Sequence, residues 1–213
     1  MKAMKFIAVL AALSLSMSAM CQTNITDPKL LKQIEKDAKK ETKRMEKEGW
    51  KCFIGSLPLE RQLYNAYTYV YTMDEYGEPM YFIGAAESTA GNKDAGRMQA
   101  SSLARMEIVH SIESEGTDLI ENMVGNEQLG KEDAAALTTM ISNGELYSSQ
   151  KLGRTIVVVE AYRDLPNKNK EVHMRIVAKS SDIREIAKDG IRDEMKKRGK
   201  ELSEKAWGKF NRK

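Results

Sequence analysis

The feature that most constrains the fold is a helical repeat of small and apolar side chains between residues 95 and 123. They recur every three or four positions, the spacing of one face of an α-helix, and predict a long helix with this face in the core. The repeating positions are Ala95, Met98, Ser102, Met106, Val109, Ile112, Gly116, Leu119 and Met123. Small residues in the first half would let the helix lie close to a sheet. They are Ala95, Gly96, Ala100, Ser101, Ser102 and Ala104.

Segments rich in β-branched and aromatic residues lie on both sides of this helix. We predict strands at 81–89, 156–162 and 172–178, and a shorter one at 145–151. Two further helices are predicted at 131–142 and 181–198. This order does not alternate strand with helix, so it favours an antiparallel sheet. The predicted fold class is α+β, with a small antiparallel sheet of three to four strands. A long helix and a C-terminal helix cover one face, and a charged helix precedes them.

The N-terminal region contains two more helix candidates. Residues 28–48 are highly charged, with Asp27 as the N-cap and Gly49 as the stop signal. The apolar stripe of this segment is thin, so we expect the helix to pack lightly or to project from the body. A second helix is predicted to begin near Pro58. Within it, residues 64–72 also alternate as a strand would, and periodicity leaves both assignments open.

The first 21 residues have the three-part layout of a secretory signal. Two lysines precede an apolar run from Phe6 to Leu15, and small residues lead to Cys21. Crossing a membrane takes about 20 apolar residues, more than this run supplies. Cleavage after Cys21 would leave Gln22 as the first residue, whereas a lipoprotein pathway would acylate Cys21. Met20 is bulkier than the residue that usually precedes a lipidated cysteine, which favours ordinary cleavage, but both outcomes stay open.

These signals divide the chain into four predicted parts. They are a signal peptide at 1–21, a charged N-terminal helical extension at 22–55, an α+β domain at 56–198 and a basic C-terminal tail at 199–213. We expect an exported protein in the periplasm, at the outer membrane or outside the cell, without a transmembrane segment in the mature chain. The formal net charge is +3, and loss of Lys2 and Lys5 leaves +1. This balance excludes the broad positive field on which nucleic-acid binding depends.

Side chains that could carry catalysis are few and scattered. The two histidines, His110 and His173, are too few for a three-histidine zinc site. No serine elbow or glycine-rich phosphate loop occurs. Cys52 lies between Trp50 and Phe53, a setting typical of a buried, unreactive thiol. We therefore predict no enzyme activity, no cofactor and no metal.

Tyrosines form the best candidate ligand surface, since six of the eight lie between residues 64 and 81. Aromatic rings bind sugars and peptides, and they also fill cores and pair across strands. Both uses stay open from sequence. The candidate ligand surface consists of Tyr64, Tyr67, Tyr71, Tyr76 and Tyr81.

One stretch carries a family resemblance. Residues 81–87 read Tyr81-Phe82-Ile83-Gly84-Ala85-Ala86-Glu87. An alanine-rich helix over 95–112 and paired strands follow. Over roughly residues 80–195 the chain resembles the Lpp-twenty-like lipoprotein family and the related N-terminal domain of flagellar assembly protein T. The resemblance implies a strand ending in a Gly-Ala segment, an alanine-spaced helix and a small antiparallel sheet. It also implies a bacterial envelope protein without known catalysis.

Together these patterns predict an exported, non-enzymatic cell-envelope protein that acts by contact with another envelope protein or with its own copies. The alternative is a binding module for cell-wall or extracellular glycan that uses the tyrosines of residues 64–81. The two hypotheses differ in what meets the surface: a protein chain in the first, a sugar polymer in the second.

Overall fold

A computed structural model describes Ile25, residues 27–149 and 152–202, and Trp207. The predicted signal peptide, with Cys21, lies outside the described residues. In chain order the elements are α1 (Pro28–Lys47), β1 (Lys51–Cys52), α2 (Leu59–Tyr71), β2 (Tyr81–Ala90), α3 (Lys93–Gly125), α4 (Lys131–Ser142), β3 (Ile156–Asp164), β4 (Lys170–Lys179) and α5 (Ser180–Lys197). No helix of the described part is both long and apolar enough to cross a membrane.

The four strands form one antiparallel sheet in the order β1-β3-β4-β2. The long strand β2 pairs with β4 over its whole length, from Tyr81 opposite Lys179 to Ala90 opposite Lys170. In contrast, β1 covers only Ala161 and Tyr162 of β3. The predicted α+β class with a small antiparallel sheet is confirmed.

Helix α3 lies over β2 and β4, with α4 and α5 packed beside it. Its sheet-facing side carries Gly96, Ala100 and Ala104, all buried, so the predicted role of small residues is confirmed for these three. The approach is so close that a Cβ on Gly84 of β2 would lie 2.0 Å from the backbone oxygen of Ala104. Glycine at position 84 is therefore a packing requirement of the helix–sheet contact.

The prediction that the repeat faces the core is wrong for the first half of α3. Ala95 and Ser102 are exposed, and Met98 and Met106 are 77% and 41% exposed. The sequence repeat has a period near 3.5 residues, whereas a straight helix has 3.6, so such a stripe drifts by about 20° per heptad. In the first half of α3, the side that carries the small residues packs on the sheet instead. From Val109 onward the predicted face is buried.

Helices α1 and α2 form a second layer on the opposite face of the sheet. The expectation that α1 packs lightly is wrong, because Ile34, Ala38 and Met45 are almost completely buried. The stripe is thin, but it meets the core-facing side of α2, which lies on β3. The described residues of the predicted extension thus supply one helix and one strand to the common fold. Residues 64–71, left open by the sequence, are helical.

The predicted strand at 145–151 does not form in its described part, residues 145–149. Instead, Tyr147 is 3% exposed and donates a hydrogen bond from its hydroxyl to the Ala187 oxygen, at 3.0 Å. Its ring fills a slot between Gly116 of α3 and Gly190 of α5. Within the predicted C-terminal tail, Trp207 is 1% exposed and packs into the same core.

Candidate protein interface

The predicted tyrosine surface is divided by the fold. Tyr67 and Tyr71 turn toward α1, with ring centroids 6.4 Å apart. The Tyr67 hydroxyl donates to Oε2 of Glu41 at 2.9 Å, and the Tyr71 hydroxyl donates to Oδ2 of Asp37 at 3.4 Å. Burial, followed by the hydrogen bond to Glu41, raises the pKa of Tyr67 to about 12. These two hydroxyls hold α1 against α2.

The other three tyrosines lie elsewhere. Tyr81 meets the ring of Tyr69 edge-on at 4.7 Å, and Tyr64 lies beneath the guanidinium of Arg61 at 5.3 Å. Tyr76 is in the turn before β2 and is 60% exposed. The structure does not bring the five predicted tyrosines into one surface, and the glycan-binding alternative stays a prediction without a common platform.

A polar network joins α1 to β4. The guanidinium of Arg175 donates to both carboxylate oxygens of Glu41, at 2.6 and 3.2 Å. Its Nε donates to Nε2 of His173 at 3.1 Å, so the His173 proton is assigned to Nδ1, which lies 3.0 Å from Oε1 of Glu87. Burial raises the pKa of Glu41, but the contacts with Arg175, Tyr67 and Arg44 outweigh burial and lower it overall.

The two histidines are far apart in role and position. Burial, followed by the positive charge of Arg175, lowers the pKa of His173 and keeps its ring neutral. His110 lies on α3, on the other side of the sheet, where its exposed ring is 2.9 Å from Glu113. No group of three or more His, Cys, Asp or Glu in the described part is placed to hold a metal ion. The network around His173 serves to fix α1 on the sheet.

The lowered pKa of His173 predicts a pH-dependent loss of stability. As pH falls below about 6.5, the unfolded chain takes up a proton at this histidine before the folded chain does. The free energy of unfolding should then fall with pH between the ordinary histidine pKa and the lower folded value. We expect His173→Gln to remove this part of the pH dependence in urea unfolding at pH 7.5, 6.5 and 5.5. Equal slopes for wild type and variant would contradict it, and His110→Gln is the matched control.

The two edges of the sheet differ in how they are protected. On β3, the Gln62 side-chain oxygen accepts the Glu160 N–H at 2.7 Å, and a bulge separates Val157 from Val159. A groove of 570 Å³ runs beside this edge, between α2, Arg97 and the turn at Leu57. Bulges and capped backbone groups are devices that prevent strand addition. The β3 edge carries both, in addition to the short cover of β1.

Among the described residues, the β2 edge has neither a bulge nor a backbone group capped by a side chain. Its ten residues pair with β4 without a register shift, and no described strand lies on the other side. The strand contains no proline, lysine or arginine, and Glu87 is its single charged residue. Ala85, Glu87 and Thr89 are exposed on the face away from α3. A long edge of this kind is a template on which another strand can pair.

One flank of α3 borders this open edge. Arg97 and Arg105 reach toward the β3 side of the helix, to Glu160 at 2.6 Å and to Thr155 at 2.9 Å. Since successive helical residues are 100° apart, the opposite flank carries Gln99, Leu103 and Glu107. All three are exposed, Leu103 by 43%. Leu103 directly precedes Ala104, the residue of α3 that lies over Gly84. Its side chain is therefore next to the sheet-facing side of the helix.

We define the β2 edge surface as β2 together with Gln99, Leu103 and Glu107. The sequence predicted both β2 and α3 but not this surface, because edge position depends on strand order. The only sequence signal that could have indicated this surface was the lack of proline and lysine in the β2 segment. No protein-family model matches the chain, and neither the curated proteins nor the solved structures give a significant match. The resemblance over residues 80–195 therefore stays a prediction.

Proposed function

We propose that this chain is an exported cell-envelope protein that acts by non-covalent contact with another protein strand along the β2 edge surface. The observation that carries the proposal is the contrast between the two sheet edges. The β3 edge is bulged and capped, whereas β2 offers ten regular residues with no proline, no lysine and Glu87 as the single charged residue. Backbone hydrogen bonds along such an edge supply affinity, and side chains beside it supply specificity.

Export is supported by residues 1–21, with their two lysines, apolar run and small-residue exit. The intact mass of the chain recovered from outside the cytoplasm tests it. We expect a protein that begins at Gln22, or one that begins at an acylated Cys21. A full-length mass that begins at Met1 would contradict export by cleavage.

Contact along β2 is tested by a photo-cross-linking residue, benzoyl-phenylalanine, at Ala85 in the exporting cell. Ala85 is exposed and lies at the middle of the edge strand. The matched control carries the same residue at Met98, which is 77% exposed but lies outside the β2 edge surface. We expect a defined protein adduct from position 85 and not from position 98. No adduct at 85, or the same adducts at both positions, would overturn the proposed contact.

A further inference from the structure

We propose that the protein strand that pairs with β2 is β2 of a second copy, in a symmetric dimer with one continuous eight-stranded sheet. The inference rests on the proposed function and names its partner. A twofold axis perpendicular to the sheet near Ala85 would place the two β2 strands antiparallel. Glu87, the charged residue of the strand, would then lie opposite Ile83 of the other copy rather than opposite its own equivalent. No like charges meet along this pairing.

The position of α3 argues for a second copy over an unrelated strand. Adjacent strands are about 4.8 Å apart, and α3 lies over both β2 and β4. When two β2 strands pair, the twofold axis lies half a strand spacing outside β2, and an α3 axis between β2 and β4 lies half a spacing inside it. The two α3 axes would therefore be two strand spacings apart, about 9.6 Å. This distance falls within the roughly 8–10 Å at which helices pack. The dimer therefore closes two contacts at once, strand on strand and helix on helix.

The flank of α3 is suited to this packing. Gly84 lies beneath Ala104, so a twofold axis near Ala85 passes close to Leu103. The two Leu103 side chains, each 43% exposed in the single chain, would cover one another. Symmetry about Leu103 also sets Gln99 opposite Glu107, so an amide can donate to a carboxylate on both sides of the axis. A foreign strand could pair with β2, but it would leave this flank of α3 uncovered.

The test uses the mature chain from Gln22 onward and measures its mass in solution by light scattering. We expect a dimer at micromolar concentration. In the Leu103→Glu variant, two carboxylates would meet at the axis and weaken dimerisation by about 100-fold or more, because like charges brought together in an interface are strongly repelled. Met98→Glu is the matched control, since it adds the same charge to an exposed position on another side of α3. It should remain a dimer.

Mixing two variants of opposite charge at position 103 tests the twofold symmetry directly. Leu103→Glu and Leu103→Lys should each be monomeric, and together they should form a one-to-one heterodimer because a twofold axis sets position 103 opposite itself. Circular dichroism confirms that each variant is folded. A monomeric wild type, a dimeric Leu103→Glu, or variants that do not recombine would overturn the inference.

If position 85 cross-links to a different protein while the wild type is monomeric, the second copy is refuted and contact along β2 survives. If position 85 forms no adduct, both fail.

Discussion

Gly84→Ala is expected to lower the free energy of unfolding by about 3 kcal/mol, at the upper end of what one added methyl group usually costs in a packed core. The new Cβ would lie 2.0 Å from the Ala104 oxygen and 3.1 Å from Cγ1 of Ile108. The first of these atoms belongs to the helix backbone and cannot rotate away. Helix α3 must then move from the sheet, and its contacts with β2 and β4 loosen together. Urea unfolding of the purified variant measures the loss.

The control for this variant is Gly91→Ala, in the turn between β2 and α3. A Cβ on Gly91 would meet nothing within 4 Å, and the residue does not have the positive φ that favours glycine. We expect a change within about 0.5 kcal/mol, as for most surface substitutions. If Gly84→Ala costs no more than Gly91→Ala, then α3 does not approach β2 as closely as described. The inferred spacing of α3 in a dimer would lose its basis as well.

Local signals predicted most of the elements of this fold. Helix α4 begins and ends at the predicted residues. Its end could be predicted because Asn143 and Gly144, which stop the helix, directly follow Ser142. The strands β2, β3 and β4 follow from runs of β-branched and aromatic residues, and the predicted bounds differ by a few residues at most. Such signals lie within a few positions along the chain, so they need no knowledge of the rest of the fold.

The errors concern contacts between distant segments. The two residues of β1 form a strand only because Ala161 and Tyr162 lie beside them, and two residues carry no periodicity. Similarly, Ala38 and Met45 of α1 are buried because α2 covers a stripe that is too thin to predict a core helix. Tertiary packing decides both cases, and a single sequence gives no partner for either segment.

The candidate site could be predicted only in its parts. The small residues in the first half of α3 predicted that this helix lies close to a sheet, and Gly96, Ala100 and Ala104 do face the sheet. The role of Gly84 in this contact was not predicted. Leu103 did not belong to the predicted core face and carried no signal of its own. That it borders an open edge follows from the strand order β1-β3-β4-β2, which places β2 last. The tyrosines were conspicuous in sequence because of their number, but α1 and β2 divide them between separate contacts.

The slot that holds Tyr147 should give the second large effect. Its ring lies between two glycines, and a Cβ on Gly190 would come within 2.5 Å of Cε1 of the ring. Gly190→Ala should therefore lower the free energy of unfolding by about 2 kcal/mol, although alanine favours a helix over glycine by about 1 kcal/mol. Tyr147→Ala removes the buried ring and should cost about 3–5 kcal/mol, the range for large aromatic truncations.

The double variant separates this slot from general loss of packing. In the Tyr147→Ala background the ring is gone, so Gly190→Ala should cost nothing and should gain part of the helix propensity of alanine, about 1 kcal/mol. The two effects are then strongly non-additive, with a coupling that urea unfolding of the four proteins measures directly. Tyr147→Phe keeps the ring and removes only the hydrogen bond to Ala187, so it should cost about 1 kcal/mol and leave the penalty of Gly190→Ala unchanged. Additive losses in the double variant would show that Gly190 and the Tyr147 ring are not in contact, and that α3 and α5 are held together by other side chains.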